Sequence, residues 1–128
     1  MAPQFLRMIP ILRMFDTAKA REFYCDFLGF SVDWEHRYAP DLPLYMQISL
    51  NGAVLHLSEH HGDASPGAKV MIEVRDLRPY HASLLEKRYG YMRPGLEDEA
   101  WGALTMTVID PFMNRLVFAE RKTDIEMA

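Results

Sequence analysis

Residues 53–63 read AVLHLSEHHGD, which places His56, His60 and His61 with Glu59 and Asp63 in one short stretch. Imidazoles and carboxylates bind zinc and related ions, and they also serve as general bases or plain hydrogen-bond partners. Spacing separates these uses. On an extended strand each residue advances about 3.3 Å, so His56 and His60 would stand roughly 13 Å apart, too far for two Zn–N bonds of about 2 Å. A local metal site therefore needs a sharp turn after Ser58 that brings His60 or His61, with Asp63, back to one point. Without that turn His56 is a polar residue in a pocket wall, and the loop histidines are solvated.

A second set of residues points to binding of a different kind. Trp34 and Tyr38 lie close together with Asp33 beside them, and Trp101 follows the acidic run Glu97-Asp98-Glu99. Aromatic faces hold a flat heteroaromatic cation, since stacking contributes about 0.5–1.5 kcal/mol beyond area burial and a cation over tryptophan adds a similar amount. Acidic neighbours raise the local concentration of a positive guest. Trp34 is equally compatible with core packing, whereas Trp101 lies in a polar, irregular stretch where core duty is less expected.

These residues sit in a legible order of elements. FLRMIPILRMF is an apolar run suited to a buried strand, with Pro10 placed at an edge or crossing point. Asp16 caps a helix whose stripe is Ala20, Phe23, Tyr24, Phe27 and Leu28, and Gly29 ends it in a left-handed conformation. FSVDWEHRY alternates, so Phe30, Val32, Trp34, His36 and Tyr38 are expected on one face and Ser31, Asp33, Glu35 and Arg37 on the other. LYMQISL and AVLHLS form a hairpin about Asn51-Gly52. EHHGDASPG is a link, after which the plan repeats: AKVMIEV is a strand, Asp76 and Pro79 open a helix closed by Gly90, YMRPGLEDEAWG is mostly irregular, and ALTMTVI and RLVFAER are strands about the DPFMN turn. The result is a single α+β domain over residues 1–128, with βαβββ modules at 1–63 and 64–128 forming curled mixed sheets. One helix cannot cover both faces of a four-stranded sheet, so each uncovered concave face must meet the other, a second subunit or a ligand.

Composition sets the outer limits. The chain has 128 residues, 49% of them hydrophobic, and a net charge of −4, enough apolar matter for a core and the wrong sign for a general nucleic-acid binder. The apolar amino-terminal stretch is interrupted by Arg7, Arg13, Asp16 and two prolines, so neither a membrane span nor a signal core is read there. The lone Cys25 makes no internal disulfide and is expected as a small buried thiol. A cytoplasmic protein is expected.

FDTAKAREFYCDFLGFSVDW in the first half and AWGALTMTVIDPFMNRLVF in the second resemble the vicinal-oxygen-chelate, or glyoxalase, superfamily. The similarity extends from about Ile9 to Glu120. Metal-using members of that superfamily take ligands from four strands, and their landmarks place Ile9, His56, Lys69 and Val117 at those positions. Only His56 has a suitable donor, so the resemblance implies no resident metal and no cofactor. Within the superfamily the chain is most similar to the bleomycin-resistance branch, through IPILRMFD, LGFSVDW, and EAWG followed by a strand and DPFMNRLVFAER. That resemblance implies a homodimer that sequesters a planar cationic antibiotic in a groove between subunits, without turnover. It puts Trp34 and Tyr38 on or beside the aromatic wall, with Asp33 next to it, and Trp101 at a stacking position; His56, which has no settled counterpart in that branch, and Met113 are also expected among the ligand-binding residues. Met113 stands where the branch generally carries glycine, a position that favours positive φ. The alternative is a metal-dependent lyase or dioxygenase using His56 and the loop histidines. Small-molecule ligands are expected as partners, and nucleic acid and membrane are not.

Overall fold

The computed structural model of the chain describes residues 2–123. Met1 and residues 124–128, the outer ends of the two expected modules, lie outside the described residues. The order is β1 (Ile11–Arg13), α1 (Thr17–Arg21, continuing through Phe27 as a wider turn), β2 (Ser31–His36), β3 (Tyr45–Leu50), β4 (Ala53–Ser58), β5 (Lys69–Glu73), α2 (Leu77–Glu86), β6 (Leu96–Glu99), β7 (Ala103–Ile109) and β8 (Arg115–Arg121). Two four-stranded mixed sheets result, ordered β1-β4-β3-β2 and β5-β8-β7-β6. Each has one parallel pair, β1 with β4 and β5 with β8.

Local chemistry accounts for most of these boundaries. The Asp16 side chain accepts from the Lys19 N–H and caps α1, as its sequence position predicts. The helix then widens: the Leu28 N–H reaches back five residues to the Phe23 carbonyl at 3.0 Å. This keeps Phe23, Tyr24, Phe27 and Leu28 all buried. Gly29 ends it at φ 96°, and Asn51 and Gly52 turn the β3–β4 hairpin at φ 48° and 91°, conformations that side chains disfavour. Every residue of the expected α1 stripe joins one core with Leu12, Met46, Ile48, Leu55 and Leu57 of the first sheet and Leu104, Met106, Val108, Leu116 and Phe118 of the second.

Four local expectations are corrected. The first strand is only three residues long, because Pro10 has no N–H for a ladder; its carbonyl still accepts from His56 N–H at 3.0 Å, and the preceding Phe5, Leu6 and Met8 are almost fully exposed. The stretch read as irregular contains β6, whose Leu96–Glu99 backbone pairs with β7; pairing overrides the poor strand propensity of acidic residues, which suit an edge strand. Helix α2 ends at Glu86, and Arg88, not Gly90, takes the left-handed conformation at φ 52°. At its start Asp76 makes no side-chain cap. The carboxylate of Glu120 accepts from the N–H groups of Asp76 and Leu77 at 2.9 and 3.1 Å instead.

The fourth correction concerns β2 and positions the site. Val32 pairs with Ile48, yet Trp34 pairs with Gln47, so Asp33 is an extra residue in a β-bulge. Strict alternation fails there, because two residues oppose one and the phase shifts by a residue. Phe30 stays in the core and Val32 packs against it. Asp33, Trp34 and His36 all lie on the opposite, uncovered face.

The DPFMN turn joins the modules. Asp110 is buried and accepts from Tyr24 Oη at 2.6 Å, from the N–H groups of Phe112 and Asn114 at 2.8 Å, and from Asn114 Nδ2 at 2.9 Å. Asn114 also donates to the Arg13 carbonyl of β1 and accepts from the Ala68 N–H preceding β5. Burial pushes the Asp110 carboxyl pKa up despite these donors. Met113 sits in the turn at φ 71°, the left-handed conformation its position favours.

Candidate functional site: the open face of the first sheet

Register builds this site. Asn51-Gly52 pairs Leu50 with Ala53, and counting back along the hairpin sets Gln47 opposite His56 and Tyr45 opposite Ser58. Met46 and Ile48 point into the core, so Tyr45, Gln47 and Ser49 point out. On the far side β1 sets Ile11 beside His56, and on the near side the bulged β2 adds Asp33 and Trp34.

Three rings make an aromatic wall. Trp34 and Tyr45 are parallel, with centroids 6.0 Å apart at 12°, and His56 stands edge-on to both at 5.2 and 5.1 Å. Such arrangements suit the quadrupoles of the rings. Trp34 is 42% exposed, which decides its role: it belongs to the surface wall rather than the core.

A hydrogen-bond chain runs beneath the rings. Tyr45 Oη lies 2.6 Å from His56 Nδ1, His56 Nε2 lies 3.0 Å from Gln47 Oε1, Gln47 Nε2 donates to Asp33 Oδ2 at 3.0 Å, and Ser49 Oγ donates to Asp33 Oδ1 at 3.0 Å. The Gln47 and Ser49 donors hold the Asp33 carboxyl below its ordinary pKa, with help from the positive charge of Arg7. Burial lowers the pKa of His56, and Arg7 adds to this. Burial raises that of Tyr45, with a further push from Asp63. At neutral pH the site therefore presents a carboxylate, a neutral imidazole and a protonated phenol.

The remaining sequence-predicted residues fall elsewhere. Tyr38 follows β2, 4.7 Å from His36 and 6.3 Å from His60 between ring centroids, outside the three-ring wall. Trp101 stands on the β6–β7 turn of the second sheet, 60% exposed. Of the acids before it, Glu99 accepts from Thr105 Oγ1 at 2.8 Å and Asp98 pairs with Lys122 at 3.7 Å. Met113 lines a hollow of about 480 Å³ with Phe23, Tyr89, Tyr91 and Pro111, away from the wall. A larger hollow of about 850 Å³ lies between the Asn51-Gly52 turn and the β5–α2 link. Neither hollow includes Asp33, Trp34 or His56, so the wall is an open surface rather than the lining of either one.

The metal positions can be tested on the same geometry. Register sets His56 beside Ile11 rather than Ile9, and Val117 beside Met71 rather than Lys69. Both His56 nitrogens are engaged in hydrogen bonds. In the following loop Asp63 accepts from Ser58 Oγ at 2.6 Å and His60 N–H donates to the same hydroxyl. Among the described residues no group of three or more His, Cys, Asp or Glu side chains is close enough to hold an ion. Cys25 is half-buried in the helix rather than fully enclosed, and burial raises its thiol pKa.

The residues missed by sequence reasoning are Tyr45, Gln47 and Ser49. Their signal was present: alternation in LYMQISL points them outward, and hairpin register sets Gln47 against His56.

Comparison with known proteins now carries weight. No curated protein matches the chain by sequence. Among solved structures, a bleomycin resistance determinant encoded on the transposon Tn5 superposes with a TM-score of 0.72 at 18% identity, covering 92% of this chain and 99% of its own. A bleomycin-binding protein complexed with bleomycin gives 0.69 at 18% identity, over 91% of this chain and 99% of its own. The bleomycin-binding protein from bleomycin-producing Streptomyces verticillus, complexed with copper(II)-bleomycin, gives 0.68 at 24% identity, over 91% and 97%. These similarities establish a shared fold. The family model for glyoxalase superfamily proteins matches residues 2–125, and with two βαβββ modules that leave an open wall on the first sheet, the chain belongs to the glyoxalase superfamily.

Proposed function

We propose that this protein is a metal-free small-molecule binder of the bleomycin-resistance type, a homodimer that sequesters a planar cationic antibiotic in a groove between copies. One observation carries the reading: an exposed tryptophan stacked on Tyr45 stands beside a carboxylate, on a sheet face that nothing among the described residues covers. Such a wall holds a flat cation on one side only, so a second surface must complete it. The exposed Trp101 turn of a second copy supplies one, and the apolar arm of Phe5, Leu6 and Met8 supplies area for association. Met113, in its separate hollow, contributes only through such an assembly. Antibiotic-binding proteins with this fold support the reading.

Titration with metal-free bleomycin, followed by tryptophan fluorescence and calorimetry, tests it. Binding at micromolar concentration or tighter, weakened at least tenfold by Trp34→Ala, is expected, as is a dimer in sedimentation. No binding at tens of micromolar overturns the antibiotic assignment, and stoichiometric zinc, iron, manganese or nickel in protein purified without chelator overturns the metal-free one in favour of a lyase or dioxygenase.

A further inference from the structure

The chain from Tyr45 to Asp33 has a single consistent direction. Asp33 is charged and accepts from both Gln47 and Ser49. Flipping the Gln47 amide would set its oxygen against the carboxylate, two acceptors in contact, so the Gln47 nitrogen must face Asp33 and its oxygen must face His56. His56 then has to carry its proton on Nε2, where it donates to Gln47 Oε1. Its bare Nδ1 accepts the Tyr45 hydroxyl. Each proton along the line is committed inward. The unspent capacity is almost all acceptor: lone pairs on the Asp33, Ser49 and Tyr45 oxygens, against one remaining Gln47 N–H. Asp33 is exposed. Arg7 adds positive charge at a distance, and among the described residues no ion pair joins the two.

We infer that His56 is a positioning residue which, through Gln47, holds Asp33 as the acceptor for a planar amidinium, guanidinium or protonated aminoheterocycle lying over Trp34. The inference rests on the small-molecule reading above and names the chemical group that the site selects. Planar cations with paired N–H donors match a carboxylate in two-point contact, which makes such hydrogen bonds stronger than neutral ones. An acceptor-rich or anionic guest finds along this line only the spare N–H of Gln47, and it meets the carboxylate. An ion seeking imidazole must first displace the Tyr45 hydroxyl.

The test uses the full chain and three probes of one shape: naphthalene-2-carboxamidine, its neutral carboxamide and the carboxylate, each titrated by tryptophan fluorescence. The amidine should bind at least tenfold more tightly than the amide, and the carboxylate most weakly. Asp33→Asn should bring the amidine-to-amide ratio near one. His56→Phe, its fold checked by circular dichroism, should lower that ratio severalfold while leaving amide binding in place, a change in selectivity that simple structural damage would not produce. Nitrogen-15 spectra of histidine-labelled wild-type protein should show a protonated Nε2 and a bare Nδ1, which covers the case in which the variant does not fold. Equal affinity for amidine and amide, an unchanged ratio in His56→Phe, or a proton on Nδ1 would each overturn the inference. Bleomycin binding with no amidine preference would leave the antibiotic reading standing and sink this one. An amidine preference without bleomycin binding would do the reverse.

Discussion

Tyr24→Phe removes one oxygen from the centre of the molecule, and its cost can be worked from the contacts. The ring is fully buried and its hydroxyl donates to Asp110 at 2.6 Å. Phenylalanine keeps the shape of the ring, so the cavity term is small and the loss is that of one hydrogen bond to a charged acceptor, about 1.5–3 kcal/mol. Three other donors still face the carboxylate, which favours the middle of that range, about 2 kcal/mol. With an unfolding entropy of about 2.1 cal/mol/K per residue, this corresponds to a fall in Tm of about 7 °C for a chain of 128 residues. Thermal and urea unfolding at pH 7 measure it. The sign with pH follows from Asp110. Its folded pKa is raised above 3.8, with burial the leading cause and the Tyr24 bond opposing it, so losing that donor raises the pKa further. The charged form, which profits most from the hydroxyl, disappears as pH falls through the folded value. The penalty of the mutation should therefore be largest at neutral pH and shrink on acidification. A loss below about 0.5 kcal/mol at pH 7, outside the range for such bonds, or a penalty that grows toward acid, would refute the reasoning.

Two further perturbations probe the turns and caps. Met113→Gly should stabilise the protein by about 0.5–1 kcal/mol in urea unfolding, because a non-glycine residue at φ 71° carries a left-handed penalty that glycine avoids, offset in part by glycine's greater chain entropy. Glu120→Gln should cost about 1–2 kcal/mol in the same assay, since the amide nitrogen would face one of the two N–H groups that the carboxylate now caps at the start of α2.

The elements legible from sequence were those with local causes. Asp16, Gly29 and Asn51-Gly52 act within a few residues of themselves, and each does what its chemistry dictates. The misread elements depend on distant backbone. Residues 96–99 form a strand because β7 offers its edge, and α2, which opens at Asp76 as its position predicts, is capped there by the carboxylate of Glu120, 44 residues away, and not by Asp76 itself. The site was legible as a list and not as a geometry. Trp34, Asp33 and His56 were named, but their meeting depends on the bulge, which strict alternation cannot reveal. Tyr38, Trp101 and Met113 were named with them and stand apart within one chain.

The bulge makes the chemistry of this wall a matter of chain length as well as of side-chain identity. Excising Asp33 would leave Val32 opposite Ile48 and Trp34 opposite Gln47 in unbroken alternation, so the indole would stay on the open face while the carboxylate beside it was lost and the kink straightened. The negative charge beside the indole therefore rests on the extra residue of the bulge, and one codon of deletion removes it without turning any neighbouring side chain over.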